Sequence, residues 1–152
     1  EKYFNDSDII FMAAAVGDFK PLKLSKSKLK RGSLPKVINL KLIKNPDILA
    51  ALDKFKARKN KLLIGFALET RAGVKNSLEK LKKKNLDLLI LNEINKKQVL
   101  DLKPASQPFG DTVNDYILMY KSGRIEKNAH LDKKHFSRVL LDKVETLWYT
   151  SF

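Results

Sequence analysis

The chain has 152 residues, of which 43% are hydrophobic and 32% are charged, and it contains no cysteine. This length and apolar content can bury the core of one globular domain, which excludes a disordered chain, and the lack of cysteine excludes disulfides, thiolate metal ligands and a cysteine nucleophile. No apolar run reaches the roughly 18 residues of a membrane span and no secretory signal is visible, so we expect no membrane partner and a cytoplasmic location.

The formal net charge of +14 comes from 31 Lys and Arg residues against 17 Asp and Glu residues. Such an excess is typical of proteins that bind polyanions such as phosphates or nucleic acid. The lysines are spread along the chain and arginine is scarce, whereas base recognition favours arginine. We therefore expect no nucleic-acid partner, and a basic α/β nucleic-acid-binding module stays open as the alternative.

Apolar periodicity and turn residues predict the elements in chain order. The first half contains a strand at residues 9–16, a polar mobile segment at 19–36, a short strand at 38–42 and a helix at 46–56. The second half contains a strand at 62–67, a helix at 73–84, a strand at 86–91, a loop with Pro104, Pro108 and Gly110, a hairpin with a strand at 115–120 and a turn at Ser122-Gly123, and a helix at 133–149. This alternation predicts one α/β domain over residues 1–152, a three-layer αβα, Rossmann-like arrangement with a mostly parallel sheet and a C-terminal hairpin.

Polar side chains follow three of the predicted strands. Asp18 comes after the small-residue run at 11–17, Glu69 and Thr70 follow the strand at 62–67, and Asn92 follows the strand at 86–91. Ligands of open α/β sheets bind outside the carboxyl ends of the strands. This common edge is therefore the first candidate for the functional surface.

The segment at 19–36 is rich in lysine and too polar to pack in a core. Its cations are Lys20, Lys23, Lys26, Lys28, Lys30 and Arg31. It is either a solvated loop or a flap that closes over a phosphorylated ligand, since lysine supplies a mobile point charge for phosphate oxygens. Composition does not decide which lysine would do so.

The residues Asn45-Pro46-Asp47-Ile48 have the pattern of a helix start. Asn45 suits the N-cap, Pro46 the first helical position, and Asp47 the positive end of the helix dipole. Capping alone explains the pattern. Alternatively, the free amide groups of this terminus serve as donors to a ligand.

Lys80 and Lys84 lie four residues apart on one face of the predicted helix at 73–84, where like charges repel. They are favoured there by the C-terminal end of the helix dipole, or by an anion bound between this helix and the strand ends. His130 and His135 lack the partners of a metal site or a catalytic triad and are interpreted as surface residues.

Five sequence blocks carry a family resemblance. They are residues 13–19 (AAAVGDF), 27–31 (SKLKR), 44–49 (KNPDIL), 65–70 (GFALET) and 80–92. In this order they resemble phosphopantothenoylcysteine synthetase, the ligase half of the bifunctional synthetase/decarboxylase of bacterial coenzyme A synthesis. The resemblance covers about residues 9–92 and, more loosely, the rest of the chain.

The resemblance implies a CTP-dependent ligase that joins 4′-phosphopantothenate to L-cysteine through an acyl-cytidylate, with Mg²⁺ neutralising the triphosphate. It also implies a homodimer. The CTP site carried over from the family consists of Met12, Ala13, Ala14, Asp18, Lys28, Pro46, Asp47, Ile48, Leu49, Phe66, Lys80 and Lys84. Lys28 is the candidate catalytic residue, and no protein metal site is implied.

The family has a glycine-rich loop and an Asn-bearing segment before the first of these blocks, and neither has a counterpart in this sequence. We therefore expect the chain to be the C-terminal two thirds of the ligase domain, with the catalytic Asn upstream of it. On this expectation the chain by itself binds CTP and does not complete the ligation. A noncatalytic dimerisation fragment is a further alternative.

Overall fold

A computed structural model describes residues 2–25, 27–30, 32, 35–69, 73–93 and 114–152. Its strands are β1 (Ile9–Met12), β2 (Phe19–Pro21), β3 (Leu42–Lys44), β4 (Leu62–Glu69), β5 (Leu88–Glu93), β6 (Asn114–Tyr120) and β7 (Ile125–Leu131). Its α-helices are α1 (Ile48–Leu52), α2 (Gly73–Lys83) and α3 (Lys133–Ser151), and a 3₁₀ helix spans Lys56–Asn60. None of these helices is long and apolar enough to cross a membrane.

The main sheet has five strands in the order β1-β4-β5-β6-β7. The first three are parallel, and β6 and β7 add an antiparallel hairpin at one side. Strands β4 and β5 are apolar on both faces, as is typical of parallel strands that helices cover on both sides. The α/β class with a mostly parallel core and a C-terminal hairpin is therefore confirmed.

Alternate residues of β4 point to two separate cores, one on each face of the sheet. Leu62 and Ile64 pack with Phe136 and Leu140 of α3. On the other face, Leu63 joins a cluster that contains Leu52 of α1 and Leu81 of α2. The two cores account for the three layers.

The first predicted strand is shorter than the sequence pattern indicated. It ends at Met12, which lies opposite Gly65 of β4, and not at residue 16. Beyond Met12 the chain turns away from the sheet, and the N–H of Val16 donates to the Ala14 carbonyl at 3.1 Å. Asp18 therefore lies six residues beyond the strand end.

The predicted strand at 38–42 is wrong in position, since β3 begins at Leu42. Strand β3 pairs with β2, which lies inside the segment that the sequence predicted to be a polar flap. In this pairing Phe19 lies opposite Lys44, and the N–H of Leu22 donates to the Lys41 carbonyl at 2.8 Å. Together β2 and β3 form a separate two-stranded ribbon.

The first predicted helix is also shorter, since α1 ends at Leu52 and not at residue 56. The N–H groups of Lys54 and Phe55 donate to carbonyls three residues back, which tightens the end of the helix. This turn brings the ring of Phe55 to 5.4 Å from that of Phe4, and so it closes part of the core.

The other boundaries differ by small amounts. Strand β4 runs two residues further than predicted, and β5 spans Leu88–Glu93, two residues later at each end than the predicted strand at 86–91. Helix α2 ends one residue early, followed by Asn85 in the left-handed region at φ 48°. The predicted loop with Pro104, Pro108 and Gly110 lies outside the described residues.

Candidate functional site

Two predicted binding residues lie on neighbouring parallel strands, toward the carboxyl edge of the sheet. Met12 ends β1 opposite Gly65 of β4, and Phe66 is the next residue of β4. Phe66 is 40% exposed and begins the more accessible second half of β4, after four buried residues, so its ring is available to a ligand. Ala13 and Ala14 follow Met12 as exposed residues beyond the end of β1.

The close packing of leucine side chains against β4 depends on Gly65. A Cβ atom added there would lie 2.6 Å from a methyl carbon of Leu86, 3.2 Å from one of Leu89 and 3.8 Å from one of Leu49. The absence of a side chain is therefore required by Leu86 and favoured by Leu89, whereas Leu49, a predicted binding residue, lies at an ordinary contact distance from this position.

Asn45 connects two parts of the predicted site. Its side-chain amide donates to the Gly17 carbonyl at 2.7 Å, and its backbone N–H donates to the Asp18 carbonyl at 2.8 Å. These bonds place Asp18 beside the start of α1, although 27 positions separate Asp18 and Asn45 in the sequence. The prediction that Asn45 is the helix N-cap is wrong, because its side chain is already used by Gly17.

Asp47 is the N-cap instead, with extended backbone angles (φ −77°, ψ 104°). Its Oδ1 atom accepts the N–H of Ala50 at 3.2 Å, as an N-cap carboxylate does. Pro46 consequently precedes the cap and is not the first helical residue, a position taken by Ile48. The sequence pattern identified the helix start correctly and placed the cap two residues early.

Lys80 and Lys84 each have a carboxylate partner in this structure. The Lys80 ammonium pairs with Glu69 at the end of β4, and the Lys84 Nζ atom lies 3.3 Å from Oδ2 of Asp47. The mutual repulsion inferred from their spacing is thus balanced by two acidic residues from other elements. Both lysines lie beside residues of the candidate site.

The charge of Asp47 is favoured by its surroundings. Partial burial raises the pKa of this carboxyl group, but the N–H of Ala50 and the ammonium groups of Lys84 and Lys83 lower it by more. The net effect is a pKa below the ordinary value for aspartate. Asp47 is therefore ionised at neutral pH and carries a full negative charge at the site.

The structure does not bring Lys28 to the other predicted residues. Its side chain is exposed and forms no hydrogen bond or ion pair with another described residue. Four neighbouring flap residues, at positions 26, 31, 33 and 34, lie outside the described part of the chain. The role assigned to Lys28 stays a prediction.

Two site features were not found from the sequence. The role of Asn45 in fixing Asp18 was missed, and so were the pairings of Lys80 with Glu69 and of Lys84 with Asp47. Glu69 was noted as a polar residue after a strand, which is the signal that could have identified it as a partner. Thr70, noted with it, lies outside the described residues.

The side chain of His135 is described and lies at the start of α3. His135 is exposed and pairs through Nδ1 with Asp132, the N-cap of α3. The side chain of His130 is not among those described. In the described ranges, no three His, Asp or Glu side chains cluster in a way that could hold a metal ion.

The parallel sheet between helical layers, with its polar and lysine side chains at the carboxyl edge, defines an α/β domain of the Rossmann-like class. The chain belongs to the family of the DNA/pantothenate metabolism flavoprotein C-terminal domain, which it matches over residues 1–147. This match confirms the family that the five sequence blocks predicted.

Curated relatives agree with this family. The chain is 42% identical over 144 residues to a cysteine/cysteine sulfinic acid decarboxylase of an unknown prokaryotic organism, covering 95% of this chain and 37% of that protein. It is 34% identical over 141 residues to the coenzyme A biosynthesis bifunctional protein CoaBC of Borreliella burgdorferi, covering 92% of this chain and 32% of that protein. The chain thus spans about a third of the length of these relatives.

Solved structures agree with the fold. The C-terminal domain of a CoaBC protein superposes with a TM-score of 0.68 at 23% identity, covering 98% of this chain and 59% of that chain. A Cab2 mutant in complex with phosphopantothenate-cysteine superposes with a TM-score of 0.63 at 21% identity, covering 94% and 44%. At these identities the likeness shows the fold alone.

Proposed function

We propose that this chain supplies the CTP-binding part of an enzyme that ligates 4′-phosphopantothenate to L-cysteine in coenzyme A synthesis. The family and the CoaBC relatives support the pathway, and the Cab2 mutant supports the substrate class because it holds phosphopantothenate-cysteine on the same fold. The decarboxylase name and the CoaBC name both belong to longer proteins, of which this chain covers 37% and 32%.

The observation that carries the proposal is the position of Lys80 and Lys84 beside the carboxyl edge of the sheet. Two ammonium groups from one helix reach the end of β4 and the start of α1, where a ligand of a parallel sheet binds. Lysine is a point-charge ligand for phosphate oxygens. The edge therefore suits the phosphates of a nucleotide.

In the proposed reaction, CTP activates the carboxylate of 4′-phosphopantothenate as an acyl-cytidylate and pyrophosphate leaves. The cysteine amine then attacks the acyl carbon, forming the amide and releasing CMP. Within this chain, the backbone of Met12, Ala13 and Ala14 would contact the base edge, Phe66 would limit the size of the base, and the lysines would hold the phosphates. The Asn that stabilises the intermediate in the family is not assigned to any residue of this chain.

Mg²⁺ would enter this site with the triphosphate. It commonly binds proteins through one or two carboxylates plus the phosphate oxygens of a substrate, and not through a dedicated protein cage. The site offers the carboxylate of Asp18, on the segment that Asn45 bonds to the start of α1. This donor set fits an ion held mainly by phosphate oxygens, whose charge it would neutralise.

We expect CTP to bind more tightly than ATP. In the proposed site Phe66 limits the size of the base and backbone groups contact its edge, so that a pyrimidine is favoured over a purine. Isothermal titration calorimetry with each nucleotide and Mg²⁺ measures the difference. Equal affinities would contradict the CTP assignment. Weak affinities that fall steeply and equally with salt would favour the nucleic-acid-binding alternative instead.

A homodimer is part of the proposal, and the β2–β3 ribbon supports it. Phe19 of β2 and Leu42 of β3 lie on one face of this ribbon, outside the main sheet, and are 58% and 56% exposed. Exposed apolar side chains in one region mark a surface for association. Sedimentation velocity should show a dimer that Leu42→Lys weakens, and a monomer at all protein concentrations would contradict it.

A further inference from the structure

The carboxylate of Asp47 connects the two helices that border the candidate site. Its Oδ1 atom caps α1 by accepting the N–H of Ala50, and its Oδ2 atom lies 3.3 Å from Nζ of Lys84 at the end of α2. Both helices pack on the same face of the sheet, where Leu52 and Leu81 share one core. The Asp47 carboxylate thus caps α1 with one oxygen and pairs with Lys84 of α2 through the other.

The ion pair between Asp47 and Lys84 can be exchanged at low cost. The Asp47 side chain is 45% exposed and the Lys84 side chain is 28% exposed. Losing an ion pair this accessible to water changes an equilibrium constant by roughly two- to fivefold. If a water molecule replaced Lys84 as the partner of Oδ2, Oδ1 would still cap α1. The ammonium of Lys84, the less exposed partner, would remain at the site and need another anion.

The neighbouring pair has the opposite distribution of exposure. The Glu69 side chain is 18% exposed, whereas the Lys80 side chain is 47% exposed. Removing Lys80 would leave a carboxylate with little access to water, which is unfavourable. Lys80 therefore stays with Glu69 and can still donate to a second acceptor, because an ammonium group has three donors.

From these differences we propose that the Asp47–Lys84 ion pair is a latch, which a polyphosphate ligand opens by replacing the Asp47 carboxylate as the partner of Lys84. The latch occupies Lys84 while the site holds no ligand and releases it to phosphate oxygens during binding. This inference rests on the proposed function and adds a role for Asp47 that its N-terminal capping position does not require.

The first test is Asp47→Asn, which removes the charge and keeps a side-chain oxygen for the cap. The dissociation constants of inorganic tripolyphosphate and CTP, measured by calorimetry with Mg²⁺, should both fall by about two- to fivefold because Lys84 is already free. Glu79→Gln is the matched control, since it removes one exposed negative charge from α2. Equal gains in affinity in the two variants would show that the effect comes from net charge alone, and this result would overturn the latch.

The second test is a double-mutant cycle. In a Lys84→Gln background the further change Asp47→Asn should give no gain in affinity for tripolyphosphate, because the side chain that it releases is gone. A gain of the same size in both backgrounds would overturn the latch.

A measurement without ligand separates the latch from the proposed function. Lys84→Gln should raise the pKa of Asp47, followed by NMR titration of its carboxyl carbon, because a neighbouring ammonium is lost. An unchanged pKa would overturn the latch even if CTP binds as proposed. Absence of binding by any triphosphate, with the pKa raised, would overturn the proposed function and the release step while confirming the ion pair.

Discussion

Replacing Arg58 with alanine should lower the free energy of unfolding by about 3–5 kcal/mol, because it leaves a largely buried carboxylate without its main partner. The Arg58 guanidinium donates to Oδ2 of Asp87 at 2.7 Å and to the Asn85 carbonyl at 2.7 Å. The same Oδ2 atom accepts the N–H of Leu63 at 2.8 Å, and the Asp87 side chain is 15% exposed. Without Arg58, Asp87 keeps an ion pair with Lys121, whose Nζ atom lies 3.7 Å from Oδ1 of Asp87.

Urea denaturation followed by circular dichroism measures this loss. Lys59→Ala is the matched control, since Lys59 is the exposed next residue of the same 3₁₀ helix, and its effect should stay within about 0.5 kcal/mol. The double variant Arg58→Met, Asp87→Asn should recover part of the loss because no buried charge is left unpaired. Similar losses for Arg58→Ala and Lys59→Ala would show that Asp87 does not need the guanidinium.

Replacing Lys28 with alanine should weaken CTP binding by roughly ten- to a hundredfold and leave CMP binding nearly unchanged. A charge-assisted hydrogen bond is worth on the order of 1.5–3 kcal/mol, and the lost ammonium would act on phosphates that CMP lacks. Lys28 contacts no other predicted site residue in this structure, so the prediction requires the segment around it to move onto the ligand.

Calorimetry with CTP and CMP in the presence of Mg²⁺ gives both affinities for each variant. Lys23→Ala is the control, because Lys23 is an exposed lysine of the same segment and was not carried over from the family. A comparable loss from Lys23→Ala would show that net charge matters and not the position of Lys28. Equal losses of CTP and CMP affinity would indicate a damaged base pocket.

The strands and helices of the core were predictable because each has a strong local pattern. Strands β4 and β5 are runs of apolar residues, and the predicted bounds differ from the observed ones by two residues or fewer at each end. Prediction was poorest between residues 13 and 52. There, short elements such as β2, β3 and α1 depend on pairing with distant residues and on the side-chain bonds of Asn45 and Asp47.

The positions of the candidate site were predicted more fully than their interactions. Motif blocks and the family resemblance located Met12, Phe66, Lys80 and Lys84, and the structure places each of them at or beside the carboxyl edge of the sheet. Their role as CTP ligands stays a prediction. The pairings with Glu69 and Asp47 have no sequence signal, because an ion pair between separate elements leaves no periodic pattern.

By itself, the sequence determined the family, the α/β class and which strands are buried, because apolar runs and local motifs act over a few neighbouring residues. Only the tertiary structure decided where Asp18 lies, which residue caps α1 and which carboxylate each site lysine contacts. The cap itself is a local bond between Asp47 and Ala50, but the other two features depend on bonds between residues 11 to 37 positions apart, such as Lys80 with Glu69, Asn45 with Gly17 and Lys84 with Asp47. Such contacts exist only after the sheet has brought the carboxyl ends of its strands together.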